Sequence, residues 1–88
     1  MVTGNPRKTA DFQPSEFEEG FMIYQAERDR VHYMNPAAVL VLELCTGENS
    51  PERIAEVLKY SFHLSELPMD EVRQTLNNLE SEELITYQ

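Results

Sequence analysis

The chain has no tryptophan, a single cysteine, and seven cationic side chains against sixteen acidic ones in 88 residues. Each shortage excludes something. Small secreted domains are usually held by paired cysteines, so one cysteine points to a reducing compartment, and the expected location is cytoplasmic. No apolar run approaches the ~20 residues of a membrane-spanning helix. The longest such stretch is bounded by Asn35-Pro36 on one side and Gly47 on the other. The opening MVTGNPRKTADFQPSE has a basic pair with no apolar segment behind it, which is not the pattern of a signal peptide. The formal charge of −9 repels phosphate backbones and anionic lipid, so nucleic acid and membrane are not expected partners.

Catalytic and metal-binding patterns are scarce too. His32 and His63 are the only histidines, and Cys45 stands in an apolar segment, where a lone cysteine behaves as a small core residue. No serine lies in a glycine-flanked elbow, and there is no glycine-rich phosphate loop. His32, Cys45 and His63 lack the close, patterned spacing of metal ligands. The chain is therefore read as a non-enzyme with no cofactor and no metal.

What is present fits one small domain. Residues 1–15 contain Gly4, Pro6 and Pro14 without periodicity and read as a flexible N-terminal arm, with the domain proper over 16–88. Phe21 to Tyr24 and Val31 to Tyr33 are rich in strand formers, and the polar Glu27–Arg30 between them signals a hairpin. Glu16 to Glu18 adds a possible short strand, set off by Gly20. The last strand falls at about 31–34.

The segment AAVLVLEL that follows could be a buried strand or a buried helix. Asn35 is suited to cap a helix, Pro36 to its first position and Gly47 to its exit, which predicts a helix over 36–46. Its apolar character on nearly all faces implies a central helix. A second helix starts after the cap Ser50 and the first-turn Pro51 and runs to about Ser61. The loop FHLSELPM is expected to tuck Phe62, Leu64 and Leu67 inward. A third helix starts near Pro68 or Met69 and ends near Glu82 or Glu83, and Leu84, Ile85 and Tyr87 form an extended, packed tail. The fold class is α+β: a small antiparallel sheet of two or three strands followed by three helices, in a winged helix-turn-helix-like order.

That order raises a DNA-binding regulator as an alternative. The third helix would be the reader, and Gln74, Asn77 and Asn78 could contact bases. Its only cation is Arg73, against Asp70, Glu71, Glu80, Glu82 and Glu83, so phosphate is not tolerated. A scaffold or assembly subunit, monomeric or dimeric through its own strand edges, is a further alternative.

The exposed edge of the last strand gives a more specific expectation. Its unpaired N–H and C=O groups, beside a helix, form a site for an added peptide strand. About four backbone bonds at roughly 1 kcal/mol net supply about 4 kcal/mol, whereas micromolar binding needs about 8 kcal/mol. The remainder must come from a groove with both apolar and charged contacts. The Met69–Arg73–Leu76–Glu80 flank of the third helix offers that mixture.

Met34-Asn35-Pro36-Ala37-Ala38, Leu44-Cys45-Thr46-Gly47, Ser50 to Leu58 and Leu79 to Ile85 follow one another in an order that resembles the PqqD-like family, over about residues 17–85. Thr46 replaces the acid usual before the glycine. The resemblance implies a recognition element that binds the leader of a ribosomally made precursor peptide and presents it to a modifying enzyme, often a radical SAM enzyme. It implies no activity of its own. Carried over by position, the peptide site would lie on Val31, His32, Tyr33 and Met34 of the third strand and on Met69, Arg73, Leu76 and Asn77 of the third helix.

Overall fold

The computed structural model describes residues 4–87. The element order is β1 (Pro6–Lys8), β2 (Ser15–Phe17), β3 (Gly20–Gln25), β4 (Arg30–Met34), α1 (Pro36–Glu43), α2 (Pro51–Ser61), α3 (Met69–Ser81) and β5 (Ile85–Tyr87). The fold is α+β, with the expected three-stranded antiparallel sheet in the order β2-β3-β4 and a second, two-stranded sheet, β1-β5.

Local chemistry sets most of these boundaries. Glu18, at φ 56°, turns the chain between β2 and β3. Gly20 opens β3 because a Cβ there would lie 2.6 Å from the Met34 carbonyl oxygen, closer than real Cβ contacts allow. Between β3 and β4, Ala26–Arg28 form a single 3₁₀ turn closed by Asp29 in the left-handed region. Tyr24 donates its hydroxyl to Asp29 Oδ1 at 2.8 Å across that loop. The register Gln25↔Arg30 through Phe21↔Met34 follows.

Both expected helix caps form. Asn35 accepts from the Ala38 N–H at 2.8 Å, and Ser50 from the Arg53 N–H at 3.1 Å; each satisfies one orphan donor of a first turn. The apolar segment is helical, but α1 ends at Glu43 rather than 46. The reason lies in β1: the Lys8 N–H donates to the Cys45 carbonyl at 2.9 Å, and the Gly47 N–H to the Pro6 carbonyl at 2.9 Å. These bonds claim the backbone that would have continued the helix. Gly47 still takes the left-handed conformation, at φ 92°.

The flexible arm expected over 1–15 is corrected for residues 6–12. Pro6 is fully buried and Phe12 is a core residue. β1 pairs with β5 from Pro6↔Tyr87 to Lys8↔Ile85, and Thr9 donates its hydroxyl to the Glu83 carbonyl at 2.9 Å. Residues 1–3 of that arm lie outside the described residues.

α2 and α3 end alike. His63 and Glu83 adopt positive φ; the Leu64 N–H returns to the Lys59 carbonyl, and the Leu84 N–H to the Leu79 carbonyl. Both are Schellman closures made without glycine. At α2 the closure directs the chain outward. Phe62, Leu64 and Leu67 are exposed, which corrects the expectation that they tuck in. At α3 it delivers Leu84 and Ile85 into the core.

The core joins Ile23 from the sheet, Val41, Leu42 and Cys45 from α1 and its exit, Ile54 and Leu58 from α2, and Val72, Leu76 and Leu79 from α3. α1 packs on β3 and β4 on one side and on α2 and α3 on the other. That position is why it is apolar nearly all round. Among the described residues, no helix is long and apolar enough to cross a membrane.

Candidate peptide-binding groove

β4 is the terminal strand of its sheet. Among the described residues, no backbone hydrogen bond leaves Arg30–Met34 on the side away from β3. Among the described residues the C-terminal segment does not cover this edge, since β5 is spent on β1. Between β4 and α3 runs a groove of about 500 Å³, lined by the strand from Val31 to Met34, by Asn35 and Ala38, by Thr75, Asn78 and Leu79 of α3, and by Glu82 and Leu84 just past its end.

Pleating assigns each strand residue a role. His32 and Met34 are half-buried on the side of the helices, whereas Val31 and Tyr33 are exposed on the outer face. Val31 and Tyr33 therefore offer the groove their backbone more than their side chains. On the outer face Tyr33 meets Phe17, ring centroids 5.5 Å apart, and pairs in register with Met22, as Val31 does with Tyr24. Phe17, Tyr24, Val31 and Tyr33 are all exposed.

The C-terminal end of α3 closes one end of the groove. Gln25 is buried, and its amide nitrogen lies 3.2 Å from the Glu82 carbonyl and 3.3 Å from that of Glu83. Arg28 donates to the Glu82 carbonyl at 2.9 Å. The hairpin tip thus satisfies carbonyls that a helix end leaves orphaned and brings cations to the negative pole of the dipole. The Arg30 guanidinium stands 3.2 Å from Glu82 Oε1. Yet that oxygen is buried and has no hydrogen bond among the described residues, so the two charges are close without being aligned. Burial holds His32 below its ordinary pKa, opposed by the Glu82 carboxylate and assisted by Arg30 and Arg28.

All four strand positions carried over by resemblance line the groove; the four helix positions do not. Leu76 is in the core, and Met69 packs against it. Arg73 reaches across to Glu52 on α2 at 3.6 Å, and Asn77 is exposed outside the groove. The helix wall is instead Thr75, Asn78, Leu79 and Glu82, one step round the helix. Apart from Leu79 it is polar, so a search for an apolar and charged flank passes over it.

Cys45 is fully buried, donates its thiol to the Val41 carbonyl at 3.1 Å, and is pushed up to about 12 by burial, which the Lys8 charge opposes. Such a thiol is a core residue and not a nucleophile. Among the described residues, no three His, Cys, Asp or Glu side chains gather as metal ligands. Comparison with protein-family models, with curated proteins and with solved structures found no match to this chain.

Proposed function

We propose that this chain is a non-catalytic peptide-binding module of the cytoplasm. It takes an extended segment of a ribosomally made precursor, its leader, onto β4 as an added strand and delivers it to a modifying enzyme. The observation that carries this reading is the bare outer edge of β4 beside α3, with the groove between them. The β4 backbone supplies affinity that any extended peptide can use, and alternate side chains of that peptide enter the groove, where specificity resides. Met34, Ala38 and Leu79 give the groove apolar surface, and His32, Thr75, Asn78 and Glu82 give it polar groups. That pairing of characters is what the shortfall of about 4 kcal/mol between ladder bonds and micromolar binding demands. The leader and the radical SAM enzyme come from the family resemblance of the strand–helix junction Met34–Ala38 and of the helix signatures that follow it.

The test is titration of fluorescently labelled synthetic segments, drawn from short peptides encoded beside the gene for this chain. Saturable binding at micromolar concentration or tighter is expected for one of them. No binding by any of them contradicts the reading.

A second reading has an observation of its own. The outer face bearing Phe17, Tyr24, Val31 and Tyr33 adjoins the open edge, so two copies could pair β4 with β4 as a dimer. Light scattering across concentrations separates the two: a monomer at every concentration removes this alternative.

A further inference from the structure

We infer that the peptide site continues past the end of β4, where a second depression takes an apolar side chain of the same bound peptide with a basic residue next to it. The inference rests on the peptide-binding reading of the β4–α3 groove. The second depression, of about 220 Å³, has Ala37, Ala38, Val41 and Leu58 as its floor and Glu71 and Gln74 on its rim. It shares Asn35, Ala38, Thr75 and Asn78 with the first groove, so the two form one channel. Glu71, Thr75, Asn78 and Glu82 succeed one another at intervals of four, three and four, which marks a single stripe along α3.

The channel's length fixes how much more peptide it holds. From Thr75 back to Glu71 α3 covers about 6 Å at ~1.5 Å per residue, the span of about two extended residues at ~3.3 Å each. Those residues cannot be held as a strand. The ladder stops at Pro36, which has no N–H, and the Asn35 side chain is committed to the Ala38 N–H. Recognition beyond Met34 therefore falls to side chains. Two small residues, Ala37 and Ala38, leave the space; the buried Val41 and Leu58 beneath them make it apolar.

Charge selects the neighbour. Glu71 is exposed and, among the described residues, forms no ion pair. Arg73 does not neutralise it, being drawn to Glu52. In a chain of net charge −9, an uncompensated carboxylate on the rim favours Lys or Arg in the occupant and opposes Asp or Glu.

Selection from a random twelve-residue peptide display library against the full chain tests this. Selected peptides should combine a segment that shifts the NMR amides of Val31–Met34 with an apolar residue about two positions beyond one end of that segment and Lys or Arg beside it. Changing that apolar residue to Ala should weaken a synthetic copy by about tenfold. Ala37→Met, which fills the depression, should cause a similar loss, as should Glu71→Lys, a surface change that leaves the floor intact. A copy cut to the paired segment should bind all three proteins equally. Peptides that shift the β4 amides but show no flank preference, and bind both variants as tightly as the parent, overturn the second depression and leave the groove reading standing. Peptides that leave the β4 amides unmoved, or a selection that yields none, overturn both.

Discussion

The imidazole Nε2 of His32 lies 2.8 Å from the side-chain oxygen of Gln25, its cross-strand diagonal neighbour. Gln25's orientation is not free. Its amide nitrogen faces the carbonyls of Glu82 and Glu83, both acceptors, so its oxygen must face the histidine. His32 must then donate from Nε2, which fixes its neutral tautomer with Nδ1 unprotonated. One buried amide thereby ties the floor of the groove to the end of α3.

Breaking that tie has a measurable cost. Gln25→Ala leaves the Glu83 carbonyl to Thr9 alone, the Glu82 carbonyl to Arg28 alone and the His32 N–H without its partner. A loss of about 1–3 kcal/mol is expected, the usual penalty for unsatisfied buried groups, read from the urea midpoint at unchanged m-value. The histidine also gives stability a pH dependence. Its folded pKa is lowered, with burial as the leading cause, so the unfolded chain binds the proton more readily. The contribution of His32 is present in full above the unfolded value of about 6.5 and is lost as pH falls from there through its folded pKa. His32→Gln should flatten that part of the pH profile; an unchanged profile would assign the effect to another group.

The Cys45 thiol should be inert. With a pKa pushed up to about 12 and a side chain of zero exposure, it is both protonated and out of reach at pH 8. A thiol reagent such as a disulfide chromophore should react with it only after denaturant is added, at the rate of unfolding or local opening. Immediate stoichiometric reaction under native conditions would show that the α1 exit is open.

The two flanks of α3 should respond differently to charge. Thr75→Arg places a long side chain in the groove at a half-buried position, and should abolish peptide binding with little change in melting temperature. Arg73→Glu breaks only the exposed pair with Glu52, worth about 0–1 kcal/mol, and should leave affinity for a neutral peptide unaltered. Fluorescence anisotropy with one labelled peptide reads both. The reverse pattern would return the site to the Arg73 flank.

Glu83 holds a conformation suited to glycine, at φ 62°. Glu83→Gly should raise stability, since the left-handed region costs a side-chain-bearing residue about 1–2 kcal/mol. Glycine's greater freedom when unfolded returns about 0.5–1 kcal/mol of that. The net gain should appear as a higher denaturation midpoint, and a drop would mean that the Glu83 side chain contributes more than its backbone strain costs.

These residues also show what sequence can and cannot say about this fold. The caps Asn35 and Ser50, the apolar α1 and the β3–β4 hairpin were legible because each depends on neighbours within a few positions. β1 was not, because its partner β5 lies nearly the whole chain away and its three residues, Pro6, Arg7 and Lys8, have neither strand propensity nor an apolar pattern. The end of α2 was legible at Ser61, whereas α3 stops at Ser81 rather than Glu82 or Glu83, because Glu83 occupies a position where glycine is the usual signal. In the candidate site the strand half was visible, since an edge strand before a capped helix has few places to go. The helix half depends on the rotation of α3 about its axis. Periodicity assigns Leu76 and Leu79 to one face, but not which of the two bordering stripes meets β4.

Whether a peptide completes β4 is read most directly by NMR titration of the isotope-labelled chain with a binding peptide, following the Val31–Met34 amides and the contacts between their backbone and the peptide's. Strand addition on β4 predicts slowed hydrogen exchange for its outward-facing amides and cross-strand contacts running along it, with Thr75 and Asn78 shifted on the facing helix. A peptide that binds while β4 exchanges as before, and whose contacts fall elsewhere on the surface, would contradict it.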